Sequence, residues 1–279
     1  MTRRALVLGG GGITGIAWEW GMLAGLAKAG VDLASADLVV GTSAGSVVGA
    51  QLAGGLDVDE RYRSQLEPPA GEVAAALGPS VMLRYALAMV GPQAPKKVRA
   101  RIGRMALRAS RVPEAERVGV IESRLPVKEW PERDLLITAV DAETGEFRAF
   151  DRDDDVPLVL AVAASCAVPG VWPPVTIGGR RYMDGGMRSG SNADLAAGCD
   201  RVVVLSPLPR GLGQMTPAAT QVEALRARSR VELVSPSRAA LAAIGRNVLD
   251  PAKRAAGARA GLDQSESVLE RIRSVWNDA

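Results

Sequence analysis

Two short apolar segments, each running straight into a glycine-lined turn and then into a helical pattern, constrain this chain more than any other feature. Ala5-Leu6-Val7-Leu8 enters Gly9-Gly10-Gly11-Gly12, and Leu38-Val39-Val40 enters Gly41-Thr42-Ser43-Ala44-Gly45. Uniformly apolar strands need cover on both faces. Where a strand is followed at once by a helix, the next strand is reached by a crossover, which makes the pairing parallel. The prediction is an α/β fold with a central, mainly parallel sheet flanked by helices.

The rest of the chain extends this pattern. Ile16, Trp18, Met22, Leu23 and Leu26 recur at mixed three- and four-residue spacings, predicting a helix from Gly15 to Ala29 that closes at Gly30. Ser46 to Leu52 reads as a second helix, ended by Gly54-Gly55. Strands are expected at Leu135–Val140, Phe147–Phe150, Arg201–Leu205 and Val231–Val234, with a short hairpin strand at Arg180–Met183. Pro157 to Ala164 reads as a buried helix, and the tail from Ala252 carries Leu262, Leu269, Ile272 and Trp276 at near-helical intervals. Residues 57–124 differ in character, because Pro68-Pro69, Gly78-Pro79, Gly91-Pro92 and Pro95 divide them into helical pieces. The expected organisation is a catalytic domain over 4–206 with a helical cap at about 57–124. Residues 207–279 would add a C-terminal strand and helical extension packed on the same domain.

Composition excludes several classes. With 279 residues, 47% of them hydrophobic, the chain can bury a substantial core. A net charge of +3 is too small to imply nucleic acid as a partner. Cys166 and Cys199 match no metal-binding or redox spacing, so free thiols in a reducing cytoplasm are expected. Four apolar residues after Arg4 are too few for a signal-peptide core, and the longest largely apolar run, Leu158 to Val168, is too short for a membrane span. The expected location is cytoplasmic.

Gly41-Thr42-Ser43-Ala44-Gly45 has the form of a nucleophile elbow, in which a strained strand-to-helix turn lifts a serine hydroxyl above the sheet edge. A serine hydroxyl needs a neighbouring base, usually imidazole, and this chain has no histidine. Either the base is a carboxylate, or Ser43 merely caps a helix in a tight turn. The glycines from Gly9 to Gly12 expose backbone amides that can converge on an oxyanion. They also contain Gly10-x-Gly12-x-x-Gly15, the dinucleotide fingerprint. That reading needs an acid at the end of the second strand, where this chain has Gly41-Thr42-Ser43 instead. No Gly-Lys-Ser/Thr follows, which removes a phosphate loop, and a plain glycine-rich turn stays open. Asp184-Gly185-Gly186 by itself reads as a turn. It follows Ala164-Ser165-Cys166-Ala167-Val168-Pro169 and Trp172-Pro173-Pro174. Asp151 to Asp155 lacks the glycine and distal glutamate of an EF-hand loop and reads as an acidic turn before a helix. Asn192 would cap the next helix or orient the Asp184 loop, capping being preferred.

Taken in order, the glycine-rich first turn, Gly-x-Ser-x-Gly on the second strand, Ala-Ser-x-Ala-x-Pro and Asp-Gly-Gly resemble the patatin-like phospholipase family over roughly residues 5–200. What this resemblance implies is a patatin-like fold with a Ser–Asp dyad and no histidine. Ser43 would be the nucleophile, Asp184 its base, and the amides of Gly10, Gly11 and Gly12 the oxyanion hole. Gly15, Gly41, Gly45, Gly185 and Gly186 would shape the turns that carry them. The implied activity is serine acyl hydrolysis of lipid esters, phospholipase A-like or lysophospholipase-like, without cofactor or metal. The alternatives are an acyl-ester or thioester hydrolase on non-membrane substrates and a non-catalytic lipid- or protein-binding member of the fold. Where family members often carry Arg or Lys, this chain has Thr14, so a cation beside the glycine turn is missing. Eight basic residues from Arg84 to Arg111, uninterrupted by an acid, are Arg84, Lys96, Lys97, Arg99, Arg101, Arg104, Arg108 and Arg111. With the apolar residues Val81, Met82, Leu83, Leu87, Met89 and Val90 they would rest the cap on an anionic membrane, or else form a solvated helical face. The oligomeric state is left open.

Overall fold

A computed structural model of the chain describes residues 2–68, 75, 76, 78–91, 94–109, 112–208 and 215–277. Pro69, Val73, Pro92 and Arg111 lie outside the described residues. The strands are β1 (Arg4–Leu8), β2 (Leu38–Gly41), β3 (Asp134–Asp141), β4 (Phe147–Phe150), β5 (Val175–Ile177), β6 (Arg180–Asp184), β7 (Arg201–Leu205) and β8 (Arg230–Val234). They form one sheet in the order β5-β6-β3-β2-β1-β7-β8, with β4 paired to β3. β3, β2, β1, β7 and β8 run parallel, while β4 and β6 pair antiparallel with β3 and β5 pairs antiparallel with β6.

Side chains alternate across the parallel strands as a sheet covered on both faces requires. Leu6, Leu8, Val39, Val203 and Leu205 enter the larger core, whereas Ala5, Val7, Val40, Val202 and Val204 enter a smaller core on the opposite face. The helix expected from Gly15 is α1 (Gly12–Lys28), and the one expected from Ser46 is α2 (Ala44–Ala53). Both begin earlier than their apolar periodicity shows, because the glycine-lined turns feed directly into helical backbone. Four further helices precede β3: α3 (Val58–Leu66), α4 (Pro79–Ala88), α5 (Pro95–Ala109) and α6 (Glu114–Arg124). α7 (Leu158–Ser165) precedes β5, α8 (Ala218–Arg226) precedes β8, and α9 (Arg238–Ile244) and α10 (Arg254–Trp276) follow it. Before α7, Asp151 Oδ1 accepts the Asp153 amide at 2.9 Å and Asp154 pairs with Arg148, so the acidic run is a closed turn. Among the described residues, no helix is long and apolar enough to cross a membrane.

α1 is buried nearly all round, with Trp18, Trp20 and Met22 wholly inaccessible. That burial depends on α10, and on glycines in both helices at four-residue spacing. An added Cβ at Gly21 would collide with the Ala258 carbonyl, and one at Gly261 with the Trp18 carbonyl. The backbones therefore lie closer than side chains would allow. Trp18 Nε1 donates to Gln264 Oε1 at 3.2 Å and pins the register of the two helices.

Crowding this interface should cost stability. Gly261→Val is expected to destabilise the fold by about 2–3 kcal/mol, as overpacking commonly does. Gly119→Ala, inside α6 with open space where its Cβ would stand, should stabilise by about 0.5–1 kcal/mol. Urea unfolding of both variants beside the parent checks the contrast.

Candidate active site

Parallel pairing brings the ends of β1 and β2 to one edge, with Leu8 opposite Gly41. Ser43 lies immediately before α2 with φ 51° and ψ −114°, a backbone that residues with side chains rarely adopt. The turn closes tightly because residue 45 is glycine: a Cβ there would collide with the Leu8 carbonyl. Ser43 is 9% exposed and lines a cavity with Gly12, Ile13, Ile16, Val168 and Leu249.

A tripeptide at the end of α7, Ser165-Cys166-Ala167, explains the Ala-Ser-x-Ala-x-Pro segment. The Ser43 amide donates to Ser165 Oγ at 2.9 Å. Cys166 Sγ donates to the Ser43 carbonyl at 3.2 Å. The Asp184 amide donates to the Ala167 carbonyl at 3.0 Å. Three consecutive residues thus hold the backbones of Ser43 and Asp184 in fixed relation. Tyr85 of α4 donates its hydroxyl to the Pro169 carbonyl at 2.7 Å and ties the same strap to the helices above.

Asp184 ends β6, where it pairs with Ala139 of β3 and is 3% exposed. Its Oδ1 accepts the Gly186 amide at 2.8 Å. Burial pushes the carboxyl up, the Ser43 hydroxyl and the Gly186 amide pull it partly back, and the balance is about 6. Desolvation dominates, as for any carboxylate removed from water. The result is a base poised near neutrality and coupled to a serine hydroxyl.

Two sequence expectations need correction. Gly10, expected to offer an oxyanion donor, gives its amide to the Gly190 carbonyl at 2.7 Å. Its contribution is spatial, since an added Cβ would press on Ser43 Cβ at 3.4 Å. The amides of Gly11 and Gly12 have no hydrogen-bond partner among the described residues. They head α1, where unpaired N–H groups and the helix dipole favour negative charge. Asn192 does not cap the turn that follows it. Its amide nitrogen instead donates to Thr42 Oγ1 at 3.0 Å and to the Ser189 carbonyl at 2.9 Å, and its oxygen accepts from Arg188 at 2.8 Å. That places it between the Asp184 loop and the serine turn, the reading that capping had displaced.

Two groups at the site carry no motif. Glu19 of α1 is wholly buried with neither carboxylate oxygen hydrogen-bonded. Desolvation holds its carboxyl far above the ordinary range, and the Gly9 backbone offsets this only in part. Arg117 of α6 is 6% exposed and lines the Ser43 cavity. Neither was legible from sequence, since a single acid or base on a helix carries no signal of which neighbour buries it.

A model of the patatin-like phospholipase family matches residues 6–197, a span that holds both glycine turns, the strap and Asp184. A comparison with curated protein sequences finds none that matches. Among solved structures, the chain is similar to VipD from Legionella pneumophila, at 13% identity and a TM-score of 0.48 over 97% of this chain and 67% of that one. It is also similar to the type III effector ExoU, at 18% identity and a TM-score of 0.45 over 97% of this chain and 53% of that one. A complex of ExoU with SpcU from Pseudomonas aeruginosa gives 16% identity and a TM-score of 0.42 over 99% of this chain and 53% of that one. The chain thus spans about half the length of ExoU. Scores below 0.5 at these identities establish neither activity nor partners.

The position of Asp184 has a thermodynamic signature. Its carboxyl is raised from 3.8 to about 6 on folding, so the folded state holds the extra proton between those values. The contribution to stability is full below about pH 4 and is lost as pH rises through about 6. Asp184→Asn should therefore be more stable than the parent by about 3 kcal/mol at pH 8, the difference vanishing near pH 4. Urea unfolding at both pH values measures it, and a variant that is less stable at pH 8 would contradict the assignment.

Proposed function

Because the chain belongs to the patatin-like phospholipase family, whose members are lipid hydrolases, we propose that it is a serine acyl hydrolase of lipid esters working through Ser43 and Asp184. The observation that carries this reading is the strained Ser43 turn and the buried Asp184 carboxyl, whose backbones the Ser165–Ala167 strap holds together. Asp184 would accept the hydroxyl proton as Ser43 attacks the ester carbonyl, and return it to the leaving alcohol. The amides of Gly11 and Gly12 would receive the oxyanion, a role whose loss costs about two to three orders of magnitude per donor. Water, deprotonated by the same carboxylate, would then release the acyl group. Cys166 is not a rival nucleophile: burial pushes its thiol up, and its sulfur is engaged with the Ser43 carbonyl.

The walls of the cavity at Ser43 include Ile13, Ile16, Ala44, Val120, Val168 and Leu249. That lining suits an acyl chain. The phospholipase-like substrate class rests on the family and on this apolar wall.

A fluorophosphonate probe should label the parent and not Ser43→Ala. Ester hydrolysis by the parent should fall as pH drops through about 6, as the base is protonated, and both Ser43→Ala and Asp184→Asn should lose at least about a thousandfold in kcat. Full activity in either purified variant sinks the dyad. Hydrolysis of acyl-CoA in preference to lysophospholipid would move the substrate to thioesters.

A peripheral membrane contact is part of the same reading. Leu83 and Leu87 of α4 and Val90 beyond it are 62%, 61% and 65% exposed. On α5, Lys97, Arg104 and Arg108 are exposed and have no ion pair among the described residues. Exposed apolar side chains beside unpaired cations match an anionic lipid surface. Sedimentation with phosphatidylglycerol vesicles should capture the parent at low salt and lose about tenfold in affinity on Leu83→Glu/Leu87→Glu. Equal binding to neutral vesicles would remove the contact.

A further inference from the structure

Arg117 lies in the wrong place for an ordinary arginine. It belongs to α6, is 6% exposed and lines the cavity of Ser43. Its Nε is buried without a hydrogen-bond partner. Among the described residues its guanidinium has no carboxylate within ion-pair distance and no protein acceptor; its only specific contact is the ring of Trp172, 4.1 Å from the guanidinium carbon. Removing a guanidinium from water without acceptors is costly, several kcal/mol in the usual case. Burial accordingly pulls it down to about 10. Buried polar groups left unpaired call for an explanation, and one that opens on a cavity finds it in a ligand.

The surroundings define that ligand. With its carbon 4.1 Å from the centre of the Trp172 ring and no protein acceptor among the described residues, the guanidinium keeps N–H groups that can grip a phosphate or carboxylate with two parallel bonds. Arg124, two turns along α6, lines the same cavity and adds a second positive charge. Glu116 also lines it but is exposed and not ion-paired to Arg117. The glycine turn offers no competing cation, since Thr14 Oγ1 donates to the Val248 carbonyl at 3.3 Å. Arg117 acts electrostatically on Cys166, whose sulfur touches the Ser43 carbonyl. Arg117 and Ser43 line one cavity, so an anion held by the first stands in the same cavity as an ester presented to the second. The phosphate of a glycerophospholipid or lysophospholipid meets that condition, being borne by the same glycerol as the acyl group. The phosphates of acyl-CoA sit beyond a long pantetheine arm, and a monoacylglycerol has none.

We propose that Arg117, seated on Trp172 and seconded by Arg124, is an anion subsite that takes the phosphate of a glycerol-phosphate acyl ester while its ester faces Ser43. The proposal rests on the acyl-hydrolase reading for its orientation, but it concerns binding and can be tested without catalysis. The test uses Ser43→Ala protein and two ether lipids of equal chain length below micelle formation, an alkyl-glycerophosphocholine and an alkylglycerol, with binding followed by calorimetry.

The phosphate-bearing ether should bind at least about tenfold more tightly than the alkylglycerol, as one charge-assisted fork supplies. Arg117→Met should reduce that ratio to below about threefold, with Arg117→Lys between, because it keeps the charge and loses the fork. Arg117→Gln serves the same comparison should the methionine variant not fold. A ratio unchanged by loss of the guanidinium, or no preference in the Arg117 protein, overturns the proposal. Inorganic phosphate that competes as strongly as the ether lipid would overturn the lipid assignment. Since neither ligand has an ester, failure of the parent enzyme to hydrolyse esters is a separate result that bears on the proposed reaction alone.

Discussion

The edge that carries Ser43 and Asp184 depends on the parallel pairing of β1 with β2. With Leu8 opposite Gly41, the two strands end together and their turns rise side by side from one edge of the sheet. One turn supplies unpaired amides at the head of α1, and the other supplies Ser43 at the head of α2. β3 carries the register onward, since Gly41 stands opposite Ile137 and Asp184 opposite Ala139. Serine and aspartate are thereby brought to nearly the same height along the sheet, on either side of β3. A slip of one residue in either pairing would send alternate side chains to the wrong face and separate them.

How much of this could be read from residues alone follows the range of each interaction. Most sheet strands were legible because their apolar runs and glycine stops are local, whereas β5, three residues long between Pro174 and Gly178, is too short to show a pattern. Ser43 and Asp184 were legible because each sits in a short turn whose residue types are demanding. The donor set of the glycine turn was not, because the Gly190 carbonyl, 180 residues along the chain, decides which amide is occupied. Asn192 was misread for the same reason: its partners Thr42 and Arg188 belong to different loops, and capping is the more frequent use of such a residue. The motif Ala164–Pro169 could be seen, but not its purpose, which is a pair of backbone contacts made to residues far apart in sequence.

The lack of histidine makes burial do chemical work. An imidazole arrives near neutrality by its own nature, whereas a carboxylate has to be moved there by removal from water. The fold achieves this by enclosing Asp184 within electrostatic reach of Tyr85 of α4, whose own hydroxyl is raised by burial and by the Asp184 charge. Stability is given up where the base is made, a trade common at catalytic centres. Glu19 repeats the pattern a few residues behind the glycine turn, with less compensation around it.

The glycine contact between α1 and α10 bears on how the molecule comes into being. The helix that hides Trp18 and Met22 is made more than two hundred residues after α1. Until those residues have been made, the segment that presents the Gly11 and Gly12 amides lacks its cover. Folding from the N-terminus inward cannot complete the anion-receiving turn; long-range closure has to come first, which makes maturation slow and leaves an adhesive helix in need of protection.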